Sequence, residues 1–412
     1  HSREEVLGKK QKRKKKVPAA ILYPAEQSSM PSGLEAMDAE LKKLITITVI
    51  VKLTIFILII SSYFLLASNM YYNNAHYGFF PHQNPDFFSM LKSWDAGHYL
   101  SLAENGYPDG VTESTAFYPL YPLLIRTVGS LFLGNFLAAG LLISNLCSLL
   151  AIVYFYLLVK KLYNDTVAFT ASLFMLSFVT FFYTSLVYSE GLFLLLVTAF
   201  FYYFYEKNFS PCLFLSVLIP LARPTGILVA LPLFGYLVAE IWKSRKVDDL
   251  KNGILLLGFI TGFSLYLGTM NYCTGSFFSG FDAEYLFFPH NSLNNLLQPV
   301  SWFQGNFLNI QYSFNGYTTS ILNRVFFGFF LILLYFIYKH LDTMLFLYSL
   351  ALGLIPALSD SFMSYIRFIL VIFPIFIVLA LRFQKNPYLI IIPSAMVQVL
   401  LLTAHTLNYW VA

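Results

Sequence analysis

Charged residues are scarce in this sequence of 412 amino acids: 11% are Asp, Glu, Lys or Arg, whereas 58% are hydrophobic and 18% are aromatic. An average soluble domain is about 25% charged and about 45–50% apolar. The shortage of polar side chains excludes a water-soluble enzyme, which needs them to cover its surface. Apolar residues run along nearly the whole chain and exclude disorder. The composition indicates a polytopic membrane protein.

Cysteine is also scarce, and its three copies, Cys147, Cys212 and Cys273, lie far apart in the sequence. Neither a CxxC pair nor another zinc-type spacing occurs. We therefore predict neither a disulfide framework nor a structural zinc site. A dense carboxylate motif such as DxD is missing as well, so the sequence does not require a divalent metal, and we predict no cofactor.

Long apolar stretches dominate the chain after residue 43. A bilayer core about 30 Å thick needs roughly 20 apolar residues per helix. By that measure we predict about eleven transmembrane helices in an all-α protein. Their ranges are 44–67, 136–159, 165–184, 190–206, 211–222, 225–241, 253–271, 321–338, 343–358, 364–381 and 388–408. The short stretch 211–222 runs into Pro220 and Pro224 and predicts a broken or re-entrant helix, or one unit with the next stretch. Residues 118–133 are a further short candidate.

Basic residues are unevenly distributed among the loops, and this asymmetry predicts the orientation. Cytoplasmic loops carry an excess of Lys and Arg. If residues 1–43 are inside, nearly all basic loops fall inside too, whereas residues 68–117 contain only Lys92 and residues 272–320 contain no base. We therefore predict a cytoplasmic N-terminus, with the two long loops on the outer or lumenal side.

Residues 1–43 hold ten Lys/Arg against six Asp/Glu, including a basic run from Lys9 to Lys16. Runs of like charge are usually solvated and disordered. Next to a membrane span they also fix orientation and attract anionic lipid. We interpret residues 1–43 as a basic cytoplasmic arm and linker that contacts membrane lipid and binds no nucleic acid, and residues 44–412 as the transmembrane domain.

The first long loop contains the pattern of an amphipathic helix. Leu91, Trp94, His98 and Leu102 recur at helical spacing, and Gly106 is well placed to end the helix. Such a helix is expected to lie on the membrane surface.

Asp95 can meet His98 and Lys92 on one face of this helix, because each lies three residues away. A carboxylate at an apolar boundary can act as a general base with a histidine to orient it. The alternative is a surface aspartate that merely stabilises the N-terminal half of the helix.

Three ionisable residues fall at the ends of apolar stretches, on the predicted outer side: Glu190, Arg223 and Arg367. Ionisable groups at membrane depth are costly and mark functional sites by default. Arginines at the membrane boundary suit the phosphate of a lipid carrier. The alternative is structural, with Arg223 paired to Glu190 or Asp360 to hold helices together, and the two interpretations are compatible.

Several segments together resemble the PIG-V family, and their order and spacing carry the resemblance. They are Trp94-Asp95-Ala96, His98-Tyr99-Leu100, Gly106-Tyr107, Phe117-Tyr118-Pro119-Leu120-Tyr121-Pro122, Ser189-Glu190-Gly191-Leu192-Phe193 and Arg223-Pro224-Thr225-Gly226. Arg367-Phe368 and Pro374 agree with the C-terminal part of that family.

The resemblance implies a GT-C glycosyltransferase, a transmembrane bundle whose long first outer loop carries an amphipathic helix. Eukaryotic PIG-V members add the second mannose during GPI-anchor biosynthesis. We therefore expect transfer of mannose from a polyprenyl-phosphate donor, such as dolichyl phosphate mannose, to a glycolipid or glycan acceptor on the outer or lumenal face. The basic arm is not typical of the family and leaves the GPI acceptor open.

The resemblance also implies roles for individual residues. An acidic residue in the first outer loop is the expected catalytic base, which corresponds to Asp95. The expected substrate-binding residues are Trp94, His98, Tyr118, Glu190, Arg223 and Arg367. In that scheme the two arginines hold the lipid phosphate, while Glu190 fixes an arginine or binds a sugar hydroxyl. A single displacement predicts inversion at the anomeric carbon.

Two other functions remain open from the sequence. A GT-C enzyme that transfers another sugar, or uses another acceptor, would show the same motifs. A lipid or glycolipid transporter would also contain a helix broken at a charged residue such as Arg223. A transporter should contain two repeated halves, but the Trp94–Tyr107 stretch is not repeated.

Glycosylation of natural acceptor sites tests the orientation. Asn164-Asp165-Thr166 and Asn208-Phe209-Ser210 fit the acceptor pattern. The predicted topology puts both on the cytoplasmic side, so we expect both to stay unmodified during expression in a glycosylating host. A mobility shift that an endoglycosidase removes would reverse the orientation.

Overall fold

The structure is a computed structural model that describes residues 39–66, 86–244, 252–287, 297–309, 313, 320–359 and 362–411. Residues 39–412 form one unit. The predicted basic arm therefore lies outside the described residues except for its last five positions. Asp360, which we considered as a partner of Arg223, lies outside them as well.

The described residues fold into helices, apart from connecting turns and one isolated bridge between Ser313 and Ser320. The α-helices, numbered in chain order, are α1 (Ala39–Leu65), α2 (Phe87–Met90), α3 (Asp95–Asn105), α4 (Leu120–Leu131), α5 (Phe136–Leu162), α6 (Asp165–Leu176), α7 (Glu190–Tyr205), α8 (Phe209–Ala222), α9 (Ala230–Ser244), α10 (Gly253–Thr274), α11 (Ser279–Phe287), α12 (Pro299–Phe303), α13 (Ile321–His340), α14 (Thr343–Ser359), α15 (Tyr365–Leu370), α16 (Pro374–Phe383) and α17 (Tyr388–Thr406). Short 3₁₀ helices cover Glu113–Ala116, Phe181–Ser185 and Pro224–Val229.

The predicted all-helical class is confirmed, and each of the eleven apolar stretches contains a helix. Within the described residues, five helices are long and apolar enough to cross a membrane, namely α1, α5, α10, α13 and α17. The other helices that coincide with predicted apolar stretches are shorter than these five. The extra candidate at residues 118–133 is α4.

Two stretches that we predicted as continuous spans are broken. Residues 165–184 contain α6, a turn and a 3₁₀ helix, and residues 364–381 contain α15 and α16 with a turn between them. Pro374 begins α16; because proline lacks an N–H and its ring clashes with the preceding turn, α15 cannot continue through it.

The predicted break near Pro220 and Pro224 is present. Helix α8 ends at Ala222, and Arg223 adopts an extended backbone conformation with φ −156° and ψ 157°. The residue before a proline disfavours helical angles because the proline ring clashes with it. The break leaves Arg223 in the connection between two helices rather than within either of them.

Helix α7 is largely buried in the bundle and packs against α5 and α8. Aromatic side chains fill the core beside it: the Phe201 ring contacts Tyr348 at 5.0 Å and Phe373 at 5.2 Å, measured between ring centroids. Edge-to-face pairs of this kind add to the free energy that burial supplies. Since Glu190 begins α7, this core fixes the position of its carboxylate.

Gly191 lets α7 approach α5 closely. A Cβ atom at this position would lie 2.9 Å from the Ser144 carbonyl oxygen and 3.3 Å from Ser148 Cβ. Both atoms belong to the rigid helix α5, so a larger residue must separate the two helices. The Ser-Glu-Gly motif therefore includes a packing requirement directly beside Glu190.

We expect Gly191→Ala to destabilise the protein by about 1–3 kcal/mol, because the added methyl group overpacks the contact with α5. Thermal unfolding in detergent measures the change. Gly268→Ala in α10 is the matched control: a Cβ atom at that position would have no neighbour within 4 Å, so its unfolding temperature should stay level or rise. Equal behaviour of the two variants would contradict this account of Gly191.

Candidate active site

The Glu190 carboxylate lies between two guanidinium groups and is completely buried. Arg367 donates to its Oε1 atom from Nε over 3.0 Å and from Nη2 over 2.6 Å. Arg223 Nη1 lies 2.8 Å from the same oxygen. A buried carboxylate requires such partners, because the cost of removing it from water is several kcal/mol. Its place at the N-terminus of α7 adds a favourable interaction with the helix dipole.

Asp95 extends this arrangement into a chain of four charges. Arg367 Nη2 donates to Asp95 Oδ2 over 2.8 Å, so one guanidinium joins the two carboxylates. The Asp95 side chain is 26% exposed, whereas Glu190 is 0% and Arg367 7% exposed. We call Asp95, Glu190, Arg223 and Arg367 the charged cluster. Its two positive and two negative charges balance, and Asp95 is its most accessible member.

Backbone strain accompanies the two segments that supply Asp95 and Arg367. Trp94, directly before Asp95, has φ 59° and ψ −138°, and Ser364, before α15, has φ 57° and ψ 18°. Residues other than glycine rarely adopt a positive φ angle. Each residue that does so raises the conformational energy of the folded state by about 1–3 kcal/mol. Strain of this kind is common where the surrounding structure fixes functional side chains.

Two tyrosines hold the Arg367 guanidinium. Its central carbon lies 4.7 Å from the ring centroid of Tyr183 and 4.9 Å from that of Tyr188. Aromatic faces attract a guanidinium through their quadrupoles. Arg367 therefore has both its charge and its orientation fixed by groups of the protein.

Arg223 is also buried, and its central guanidinium carbon lies 5.9 Å from the ring centroid of Phe368. Its Nη1 atom lies close to Glu190, but the angle does not form a hydrogen bond, and no hydrogen bond from this guanidinium is found among the described residues. The Oε2 atom of Glu190 likewise accepts no hydrogen bond from a described residue. Unsatisfied buried groups of this kind call for an explanation, such as a ligand.

The remaining predicted site residues have other surroundings. His98 Nδ1 lies 3.0 Å from Ser114 Oγ, and its ring stacks on Phe117. The ring of Tyr118 stacks on Tyr266 at 4.0 Å, in a separate apolar cluster. His98 thus contacts residues 114 and 117, and Tyr118 packs against α10.

Trp94 adjoins Asp95 in the sequence and packs against the end of the chain. Its ring meets the Trp410 ring at 5.0 Å with an interplanar angle of 71°. Trp410 is separated from Asp95 by more than 300 positions, so no local sequence signal connects them. The tertiary structure brings this tryptophan pair beside the most accessible carboxylate of the cluster.

Helix α3 is tied to the start of α7 by Tyr99, which belongs to the His98-Tyr99-Leu100 motif but was given no role from the sequence. Tyr99 donates through its hydroxyl to Ser189 Oγ over 2.7 Å, next to Glu190. Burial raises the pKa of the Tyr99 phenol well above its ordinary value, so the hydroxyl keeps its proton at neutral pH. Tyr183 and Tyr188 were also missed, because tyrosines in an apolar stretch give no signal of a bound guanidinium.

A cavity of about 420 Å³ opens beside the C-terminal half of α3. Asn105, Tyr107, Glu113 and Ser114 are among the residues that line it. Ser114 also contacts His98, one helical turn from Asp95. A second cavity, of about 10 Å³, lies between α1 and α17 and has room for one water molecule.

Ligand-type side chains for a metal are dispersed in the part of the chain that the structure describes. There, no three His, Cys, Asp or Glu side chains come together. The two carboxylates of the charged cluster contact guanidinium groups instead.

We expect Glu190→Gln to destabilise the protein by about 3–5 kcal/mol, because it leaves buried guanidinium charge uncompensated. Glu206→Gln, at the other end of α7, is the matched control. Glu206 pairs with Lys161 at 2.8 Å, but its side chain is 38% exposed. The free energy of unfolding should therefore fall by less than about 1 kcal/mol in Glu206→Gln. Unfolding in mixed micelles measures both values, and equal losses would show that the cluster does not stabilise the bundle.

Part of the chain matches a known protein family. Residues 115–267, less than half of the chain, match the family described as dolichyl-phosphate-mannose-protein mannosyltransferase. The match includes Glu190 and Arg223 but ends before Arg367 and begins after Asp95. No curated protein matches the chain.

The chain is also similar to solved structures of an archaeal oligosaccharyltransferase. The oligosaccharyltransferase of Archaeoglobus fulgidus, in a complex with Zn and sulfate, is 13% identical and has a TM-score of 0.47 over 89% of this chain and 53% of its own. AglB from the same organism, in complex with an inhibitory peptide and a dolichol-phosphate, is 14% identical with a TM-score of 0.44, over 90% of this chain and 56% of its own. The chain thus spans about half the length of these structures. Residues 115–267 are thus similar to the dolichyl-phosphate-mannose-protein mannosyltransferase family, and a similarity to PIG-V in particular is not shown.

Proposed function

We propose that this chain is an inverting GT-C glycosyltransferase that transfers a sugar from a polyprenyl-phosphate donor to an acceptor hydroxyl. The observation that carries the proposal is the charged cluster: an accessible carboxylate joined through Arg367 and Glu190 to an arginine with unused hydrogen-bond donors. The match of residues 115–267 to a dolichyl-phosphate-mannose-dependent family supports mannose as the sugar.

Asp95 is the proton acceptor in this proposal. Arg367 binds its Oδ2 atom, and within the described residues its Oδ1 atom makes no hydrogen bond. A general base must reach the proton that it removes, at about 2.6–3.2 Å between heavy atoms. Oδ1 can therefore accept the proton of an acceptor hydroxyl while Oδ2 keeps the carboxylate oriented.

Arg223 is the better candidate for the lipid phosphate. An arginine presents five N–H donors in a planar fork that suits phosphate oxygens, and those of Arg223 are not committed to hydrogen bonds with the described residues. Glu190 keeps the guanidinium in place through charge. The sequence suggested that both arginines hold phosphate, but the contacts of Arg367 favour a positioning role instead.

The reaction then balances as a single displacement. The acceptor oxygen bonds to the anomeric carbon, the bond from that carbon to the phosphate oxygen breaks, and the polyprenyl phosphate leaves with the electron pair. The hydroxyl proton passes to Asp95. Arg223 stabilises the negative charge that develops on the phosphate, which is where preorganised donors lower a barrier most. Attack from the opposite face inverts the anomeric configuration.

The partners follow from this chemistry. The donor is a polyprenyl-phosphate sugar in the membrane, the acceptor is a glycolipid or glycan, and none of these steps calls for a metal. With the N-terminus in the cytoplasm, as the basic residues suggest, the charged cluster faces the outer or lumenal side.

Purified protein incubated with dolichyl phosphate mannose and a panel of glycan and glycolipid acceptors should release dolichyl phosphate. We expect Asp95→Asn to lower the rate by about 10²–10⁴-fold, the usual contribution of a general base. Glu104→Gln, an exposed carboxylate on the same helix, should leave the rate unchanged.

Near-normal turnover by Asp95→Asn would remove Asp95 as the base. If wild-type protein uses other polyprenyl-phosphate sugars but not mannose, the transferase class stands and the sugar changes. Retention of the anomeric configuration in the product, measured by NMR, would contradict the single displacement.

A further inference from the structure

Lys52 is an ionisable side chain that the proposed reaction does not use. It stands at the middle of α1, a helix of 27 residues, and is 7% exposed. A lysine at the centre of a spanning helix is costly and rare, and such residues are functional by default. Its position in an otherwise apolar segment therefore needs an explanation.

The Lys52 ammonium makes three hydrogen bonds to neutral oxygens. Its Nζ atom donates to Asn145 Oδ1 over 3.2 Å, to the Thr184 carbonyl over 3.4 Å and to Ser185 Oγ over 3.1 Å. The Phe181 ring lies 5.5 Å from the same atom. Among the described residues, none of its partners is a carboxylate. Three donors meet three acceptors, which is the full capacity of a lysine ammonium.

The orientation of the Asn145 amide supports this pattern. Its Nδ2 atom donates to the carbonyl oxygens of Leu141 and Ser185, which leaves Oδ1 as the acceptor for Lys52. Lys52 and Asn145 thus bind the same short segment from α1 and from α5.

That segment, residues 177–189, is the irregular connection between α6 and α7. Its carbonyl groups cannot all be satisfied within a helix, and at membrane depth they require partners from the protein. Besides Lys52 and Asn145, Ser148 donates to the Thr184 carbonyl over 3.0 Å and Ser144 to the Tyr188 carbonyl over 3.2 Å. Side chains of α1 and α5 therefore determine the path of the segment.

The same segment carries Tyr183 and Tyr188, whose rings hold Arg367. Arg367 in turn binds both carboxylates of the charged cluster. Thr184 and Ser185, the two residues that Lys52 contacts, directly follow Tyr183. A continuous set of contacts thus runs from the middle of α1 to Asp95.

We propose that Lys52 is a positioning residue: it fixes the irregular segment 177–189 so that Tyr183 and Tyr188 hold Arg367 against Asp95. The proposal deepens the proposed function and rests on it for its catalytic consequence. Its structural part, the ordering of the segment by Lys52, can be measured without any substrate.

Lys52→Met tests the proposal, because methionine keeps most of the side-chain volume and removes the ammonium. We expect amide hydrogen exchange in the peptides covering 177–189 to become at least about tenfold faster, since local opening no longer breaks the Lys52 hydrogen bonds. Thr48→Val is the matched control: Thr48 is buried one turn earlier on α1, and among the described residues its hydroxyl donates only to the Leu44 carbonyl of the same helix. Unchanged exchange in Lys52→Met would overturn the proposal.

The second measurement is transfer of mannose from dolichyl phosphate mannose. Misplacement of catalytic groups by about 1 Å can lower a rate about a hundredfold. We therefore expect kcat of Lys52→Met to fall by about a hundredfold, while KM for the donor changes little. A purely structural role would instead lower the unfolding temperature and leave kcat unchanged, which would contradict positioning.

A double variant connects Lys52 to the reacting groups. In an Asp95→Asn background, Lys52→Met should cause no further loss of rate, because residues that act through one group have non-additive effects. Full additivity would overturn the assignment. If Asp95→Asn alone has normal turnover, the proposed function fails, while the exchange measurement still decides whether Lys52 orders the segment.

Discussion

The bundle depends on one electrostatic constraint: a carboxylate without access to water must be neutralised where it lies. Glu190 is completely buried and meets two guanidinium groups, and one of these also binds Asp95. The four residues come from α3, α7, the break after α8, and α15, so these elements must converge for the charges to balance. Within this cluster Asp95 is the most accessible carboxylate, and Arg223, which contacts Glu190, makes no hydrogen bond to a described residue.

Broken helices make this convergence possible. Arg223 lies in the extended residue before Pro224, and Arg367 lies in the six-residue helix α15, which ends before Pro374. Irregular backbone at membrane depth is tolerated only where protein groups satisfy it. Here Ser144, Asn145, Ser148 and Lys52 bind the carbonyls of the segment before α7. These polar side chains therefore stabilise the irregular backbone that leads into Glu190.

The sequence pointed to Glu190, Arg223 and Arg367 because each is an ionisable group at the end of an apolar stretch, a position with few structural uses. Asp95 was selected from the helical pattern of the first long loop and from the resemblance to the PIG-V family. The resemblance also selected His98, which contacts Ser114 and Phe117, and Tyr118, which stacks on Tyr266. Aromatic rings serve equally well in packing and in substrate binding, so their type alone does not distinguish these uses. Lys52 did carry a signal, a base inside an apolar run, but its significance depends on what it contacts.

By itself the sequence determined the helical class, the approximate positions of the apolar helices and the prolines that interrupt them, because hydrophobicity and backbone sterics act locally. Tertiary structure alone decided which arginine pairs with which carboxylate, since Asp95 and Arg367 are brought together across most of the chain. It also decided that two tyrosines hold Arg367 while Arg223 keeps unused donors. Charge pairing at a distance depends on the relative placement of whole helices, and the packing of buried side chains sets that placement.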